Sequence, residues 1–182
     1  MVGIVLAAGA GVRAGGPKAL RRTASGTPWV EAVVRRLFDG GCTDVVVVLG
    51  AAATAARALL PASASAVICE RWADGLSESL RTGIATAGRL QPTPVAAAIT
   101  PVDIPDGDPA TLRRLLTLVS LDCLVRASFA GRPGHPVLIG RHHWRRFADS
   151  LSGDSGGAGY LQAHGVTTID CGDLESGQDV DR

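Results

Sequence analysis

Short apolar runs, spaced by helical segments, set the limits on what this chain can fold into. Val2–Ala7 (VGIVLA), Asp44–Leu49 (DVVVVL), residues 66–69 and residues 95–99 (VAAAI) contain almost no polar side chain. A strand in a parallel sheet is covered on both faces, so it reads as a continuous apolar run, not an alternating one. Between the first two runs, Thr27 has the chemistry of an N-cap and Pro28 that of a first helical residue. Val30, Val33, Val34 and Leu37 then fall on one helical face, and Gly40-Gly41 ends the helix. An Ala-rich helix over 52–60 stops at Pro61, and another runs from a cap at Ser77 to about residue 87. The later chain reads as helix 109–119, strands 121–128 and 135–139, helices 141–151 and 158–164, and a last strand 166–170. This β-α-β-α-β order predicts an α/β fold with a mostly parallel sheet. At 182 residues, one compact domain spanning 1–182 is expected. Only 4% of residues are aromatic, so the core must be built of Val, Leu, Ile and Ala.

Charge and composition exclude several function classes. The formal net charge is +1 and no run of five basic residues occurs, so no nucleic-acid or membrane-surface partner is expected. There is no charged leader and no apolar stretch long enough to span a bilayer, so the expected location is cytoplasmic. Cys42, Cys69, Cys123 and Cys171 form no CxxC pair and read as reduced thiols, not a zinc site.

The first apolar run breaks into a loop holding Gly9, Gly11, Gly15 and Gly16, flanked by Arg13 and Lys18. Glycines let a backbone approach a ligand closely, so that successive N–H groups can point at phosphate oxygens. Lys18 is the only lysine in the chain; the other seventeen cations are arginine. Lysine acts at a phosphate as a compact point charge, which arginine does not reproduce. The loop is not a P-loop, because Pro17 intervenes after Gly16 and Ala19 stands where the magnesium-binding hydroxyl belongs. Gly9, Gly11 and Ala14 formally satisfy a dinucleotide fingerprint, but strand 2 ends in Leu49-Gly50-Ala51-Ala52, without an acid for the ribose. In an open α/β sheet, ligands sit beyond the carboxyl ends of the strands. That rule gathers the glycine loop, residues 70–79 and residues 100–106 in one place.

The segment LAAGAGVRAGGPKAL resembles the LAAGxGxRxGxxKxL signature of nucleotidyltransferases with the MobA-like fold. WADGLSESLRTGI, TPVDIPD, GRPGHPVLI, LSGDSGGAGYL and the terminal ESGQDVDR are similar, in order, to segments of molybdenum cofactor cytidylyltransferase-like proteins. The chain departs from that pattern at Ala14, at Arg21 and at Thr100-Pro101 before the aspartate, and it ends at Arg182 before a further family segment. The resemblance implies a Rossmann-like three-layer sandwich of the nucleotide-diphospho-sugar transferase type. It implies transfer of a nucleoside monophosphate from CTP or GTP, with the GHP segment favouring CTP, to a molybdopterin-like phosphorylated acceptor. A molybdoenzyme or its chaperone is an implied partner.

By the same resemblance, Arg13 and Lys18 bind the triphosphate, and Leu6, Ala7, Ala8, Gly9 and Gly11 lie against base and ribose. Asp103, at the end of a buried strand, is the natural first ligand for Mg2+, with Asp179 or Asp181 closing the site. Asp103 could instead cap a helix, although Asp106 and Asp108 are better placed for that. Glu70 follows strand 3 and meets either nucleotide or solvent. Ser77 and Ser79 either contact the nucleotide or serve a helix start. Gly75, His135 and Asp154 fall on the acceptor side. Competing readings are another phosphorylated acceptor, a non-catalytic nucleotide-binding protein of the same fold, and a dinucleotide-dependent oxidoreductase.

Overall fold

The computed structural model describes residues 1–12 and 15–177. The apolar runs become β1 (Val2–Ala7), β2 (Asp44–Leu49), β3 (Ser65–Ile68) and β4 (Ala96–Pro101); β5 (Leu124–Phe129), β6 (Arg132–Gly140) and β7 (Thr167–Asp170) follow. The helices are α1 (Trp29–Asp39), α2 (Ala53–Arg57), α3 (Leu76–Ala87), α4 (Pro109–Leu116), α5 (Trp144–Ser150) and α6 (Ala158–Ala163). All seven strands join one sheet in the order β3-β2-β1-β4-β6-β5-β7. β6 runs antiparallel to both neighbours, while the other pairings are parallel.

Strand residues alternate between two cores, as the period of two requires. Val5, Ala7, Val45, Val47, Leu49, Ala96 and Ala98 face the layer of α1 and α4, where Val30, Val33, Leu37, Leu112 and Leu115 pack. Ile4, Val46, Val48, Ala97 and Ile99 face the layer of α3, α5 and α6, meeting Leu80, Ile84, Phe147 and Leu161. Burying each such Val, Leu, Ile or Phe stabilises by about 1.5–3 kcal/mol, which compensates for the scarcity of aromatics. Gly83 lets α3 sit close on the sheet, since a Cβ there would lie 2.7 Å from the Ile4 side chain.

Several boundaries differ from expectation. Pro28, with extended ψ, occupies the cap position of α1, so neither the Thr27 cap nor a helical Pro28 is realised. The Ala-rich helix shortens to five residues, preceded by Ala52 at φ 57°. Gly75 occupies the cap of α3 and no side chain caps it, which places Ser77 inside the helix. Residues 141–143 form a 3-10 turn ahead of α5. The turn expected over 130–134 contracts to Ala130-Gly131, both at positive φ, because Phe129 pairs directly with Arg132 in a two-residue hairpin. β6 consequently starts three residues before His135.

Candidate functional site

The chain runs from β1 outwards through β2 and β3, then crosses back to place β4 on the other side of β1, so the carboxyl ends of β1 and β4 form the switch point of the sheet. A cleft of about 610 Å³ opens there. Its floor is the loop after β1. Gly16 N–H donates to the Gly11 carbonyl at 3.0 Å, closing the loop on itself. Gly11 holds φ at +61°, and a Cβ there would overlap the Gly16 carbonyl oxygen, so only glycine makes this turn. A Cβ on Gly9 would meet nothing within 4 Å, so the backbone at Gly9 faces open space.

Lys18 opens a 3-10 turn, Lys18–Leu20, that seats Ala19 in the core. Its Nζ lies 2.8 Å from Asp103 Oδ2, and both side chains are 19% exposed at the cleft. Asp103 sits on the turn after β4, which is tied to β1 by Val102 N–H donating to the Leu6 carbonyl at 3.1 Å. Asp103 Oδ1 is buried without a hydrogen-bond partner among the described residues. A buried, under-satisfied carboxylate oxygen beside an open cleft fits a hard divalent cation, which takes oxygen ligands and few carboxylates. Among the described residues no three His, Cys, Asp or Glu side chains converge on a metal position. Asp179 and Asp181 lie outside the described residues, as does Arg13.

The facing wall comes from the start of α3. Gly75 holds φ at +117°, and a Cβ there would come within 2.5 Å of the Gly153 carbonyl and 2.9 Å of Asp154 Oδ1. Ser77 N–H donates to the Gly153 carbonyl at 3.0 Å. These contacts bring the 153–154 loop into the cleft, with Asp154 and His135 among the lining residues. Leu6, Ala7, Ala8, Gly9, Gly11 and Ser79 line it as well. Glu70 is exposed and Ser77 is fully buried, and neither lines the cleft. Trp72 does, although nothing in the sequence reading singled it out. Its ring packs on Gly50, where a Cβ would lie 2.5 Å from the indole and 2.6 Å from the Ala8 carbonyl. The available signal was its position, three residues before Gly75 in the WADGL segment.

Behind Asp103 stands Arg36 of α1, only 9% exposed. Its Nη2 donates to Thr100 Oγ1 at 3.1 Å, three residues before Asp103. Burial pushes the guanidinium pKa below its ordinary value, while the charges of Glu175 and Asp106 oppose that shift. Glu175 in turn accepts from Thr111 Oγ1 at 2.5 Å. The end of β4, α4 and the C-terminal segment therefore meet at one buried cation. Asp108 serves as the cap of α4, its Oδ1 accepting from Ala110 N–H at 2.7 Å, which leaves Asp103 without a capping duty.

The chain is 36% identical over its whole length to nicotine blue oxidoreductase of Paenarthrobacter nicotinovorans, covering 92% of that protein. Among solved structures it is similar to Rv0371c from Mycobacterium tuberculosis H37Rv, at 28% identity, TM-score 0.80, and 99% and 91% coverage of the two chains. The complex of Rv0371c with manganese matches at 26% identity, TM-score 0.76, covering 93% of this chain and 86% of that one. At 9% identity, 4-diphosphocytidyl-2C-methyl-D-erythritol synthase from Anaerococcus prevotii DSM 20548 shares the fold alone, with a TM-score of 0.72 and coverage of 100% and 90%. The sheet and its flanking helices are thus of the nucleotide-diphospho-sugar transferase type. Residues 3–168 match the model of the MobA-like NTP transferase domain, and the chain belongs to that family of nucleotidyltransferases.

Proposed function

We propose that this protein transfers a nucleoside monophosphate from a nucleoside triphosphate, CTP before GTP, to a phosphorylated acceptor, molybdopterin being the one its motifs suggest. The observation that carries this reading is the Lys18–Asp103 pair, 2.8 Å apart at the switch point beside the glycine loop. An acceptor phosphate oxygen attacks the α-phosphorus, the bond to the bridging oxygen of the β-phosphate breaks, and pyrophosphate leaves. Both reactants are anions, so the protein's work is positioning and charge neutralisation. Loop N–H groups and Lys18 hold the phosphates and stabilise the charge that develops on them. Arg13 takes the leaving pyrophosphate. Asp103, with Asp179 or Asp181, would hold a magnesium or manganese ion, which supplies further neutralisation at the phosphates. The manganese complex of the relative Rv0371c supports a divalent ion. Pyrophosphate release measured with each of the four triphosphates, with and without magnesium and with molybdopterin, tests the reading. Binding of triphosphate without release across acceptors would favour a non-catalytic role.

A redox role is the second reading, and the 36% identical relative named an oxidoreductase favours it. Against it stands the end of β2, Leu49-Gly50-Ala51, with no carboxylate for a dinucleotide ribose. Binding of NADH in preference to every triphosphate would select the redox reading.

A further inference from the structure

Among the described residues Arg36 is the only buried charged side chain, and it does not line the cleft. Taking a guanidinium out of water is costly unless its surroundings compensate. Its surroundings are the turn between β4 and α4, which it grips on both sides of Asp103. Ahead of Asp103, Nη2 donates to Thr100 Oγ1 at 3.1 Å. Thr100 is fully buried, and its hydroxyl donates on to the Pro101 carbonyl at 3.4 Å. This hydroxyl stands at one of the departures from the family pattern, and Arg36 supplies the donor that burial requires. Beyond Asp103, Nη1 fills the space beside Gly107, where a Cβ would overlap it. Arg36 therefore needs glycine at 107, four residues after Asp103.

The same guanidinium lies beside the C-terminal segment. A Cβ on Gly107 would also lie 2.8 Å from Glu175 Oε2, and Thr111 Oγ1 of α4 holds Glu175 Oε1. Glu175 N–H donates to the Cys171 carbonyl at 3.3 Å, which fixes where this segment leaves the sheet. Asp179 and Asp181 follow four and six residues later. Spans of that length reach at most about 13–22 Å, so the anchor at Glu175 limits where either aspartate can go. We propose that Arg36 is a positioning residue of the divalent-cation site, setting the Asp103 turn and the segment that leads to Asp179 and Asp181 relative to each other. The inference rests on the nucleotidyl-transfer reading, which places the cation at Asp103. Its chemistry is specific to arginine, whose planar fork presents one nitrogen to Thr100 and the other to Gly107 and Glu175. A lysine ammonium is a single point and cannot span the two.

Mn2+ binding to the full chain without nucleotide, read from the free-ion electron paramagnetic resonance signal, tests this. Asp103→Asn is expected to weaken Mn2+ at least about tenfold, which marks the site. Arg36→Met replaces a buried charge with an apolar side chain, a change that is often neutral for stability. It is expected to keep the melting temperature of the metal-free protein and still weaken Mn2+ about tenfold, the lower end of what groups orienting a ligand contribute. Arg36→Lys is expected not to restore the affinity. Gly107→Ala, which displaces the guanidinium, should match Arg36→Met and add nothing to it in the double variant. Gly107→Ala carries the test alone where Arg36→Met does not fold. Affinity lost in Asp103→Asn but kept in Arg36→Met or in Gly107→Ala overturns the positioning role and leaves nucleotidyl transfer standing. Additive losses in the double variant overturn it too. Absence of Mn2+ binding, or binding unchanged by Asp103→Asn, overturns the cation assignment of the nucleotidyl-transfer reading and the positioning role with it.

Discussion

At the scale of single residues, the site depends on two positions whose neighbours leave no alternative. Lys18 and Asp103 are 85 residues apart in the chain yet form one ion pair. Under the proposed nucleotidyl transfer, Lys18→Ala would remove a preorganised cation from the phosphates and is expected to lower turnover by about 10²–10³-fold, the usual effect of deleting one such donor. Lys18→Arg keeps the charge but not its compactness, so it should preserve the melting temperature and recover only part of the rate. Steady-state pyrophosphate release checks both, and full activity of Lys18→Ala would remove the loop from the mechanism. Gly11→Ala forces a Cβ into the left-handed region, at a cost of about 1–2 kcal/mol, and against the Gly16 carbonyl. Its expected effect is a weaker triphosphate dissociation constant with the rest of the fold intact. Lys18 was legible because the chain has no other lysine and because of its setting among glycines. Asp103 was legible from the strand that precedes it. Trp72 was not, since an aromatic side chain reads as core until the register of its loop against Gly50 is known.

Among elements, the first two strands and the starts of α1, α4 and α6 were read to the residue, whereas β5 and β6 start three residues away from expectation and two helix caps were assigned to the wrong residue. β1 and β2 agree with expectation to the residue because both faces are buried and no polar position breaks the run. Helix starts depended on hydrogen bonds that composition does not specify. Thr27 and Ser77 carry the right hydroxyls, yet Pro28 and Gly75 take the cap positions because the entering chain is already fixed by the Arg22–Pro28 bridge and by the Gly153 loop. Asp108 does cap α4, and Asp108→Ala should lower stability by about 1 kcal/mol in urea denaturation. The junction at Arg36 was not legible at all, because this α1 residue finds its partners in β4, in the turn before α4 and in the segment after β7. Glu175→Gln leaves the buried guanidinium with less opposing charge, and a loss of up to about 3 kcal/mol is expected. The same variant should reduce turnover if Thr100 and the Asp103 turn shift with it. Unchanged stability would show that Asp106 and Thr100 suffice to hold Arg36.

For the whole molecule, the α/β class followed from the alternation of runs, whereas the sheet order and the reversed β6 did not. Both depend on which strands bury Leu138 and Ile139 together, a long-range packing choice without a local signal. A core of small aliphatics on both faces also encloses four free thiols, at Cys42, Cys69, Cys123 and Cys171. Burial pushes the Cys42 thiol up to about 12, and it raises Cys123 and Cys171 as well. Below the free-thiol range near pH 8.5, folded and unfolded chains both keep these protons, and stability does not respond. Between there and about pH 12 the unfolded chain releases the Cys42 proton while the folded chain retains it. The unfolded state then binds fewer protons, so stability falls as pH rises. The limit is about 1.4 kcal/mol per pH unit for each fully protonated thiol. With one lysine against seventeen arginines, almost no cation titrates in the same interval to mask the effect. Urea denaturation at pH 7.5 and pH 9.5 is therefore expected to show a loss of at least about 1 kcal/mol with an unchanged slope, and Cys42→Ala should lose measurably less, by the share that Cys42 carries beside Cys123 and Cys171. A flat profile over that interval would mean that Cys42 ionises inside the fold, contrary to its enclosure between Leu37 and the sheet at Gly3.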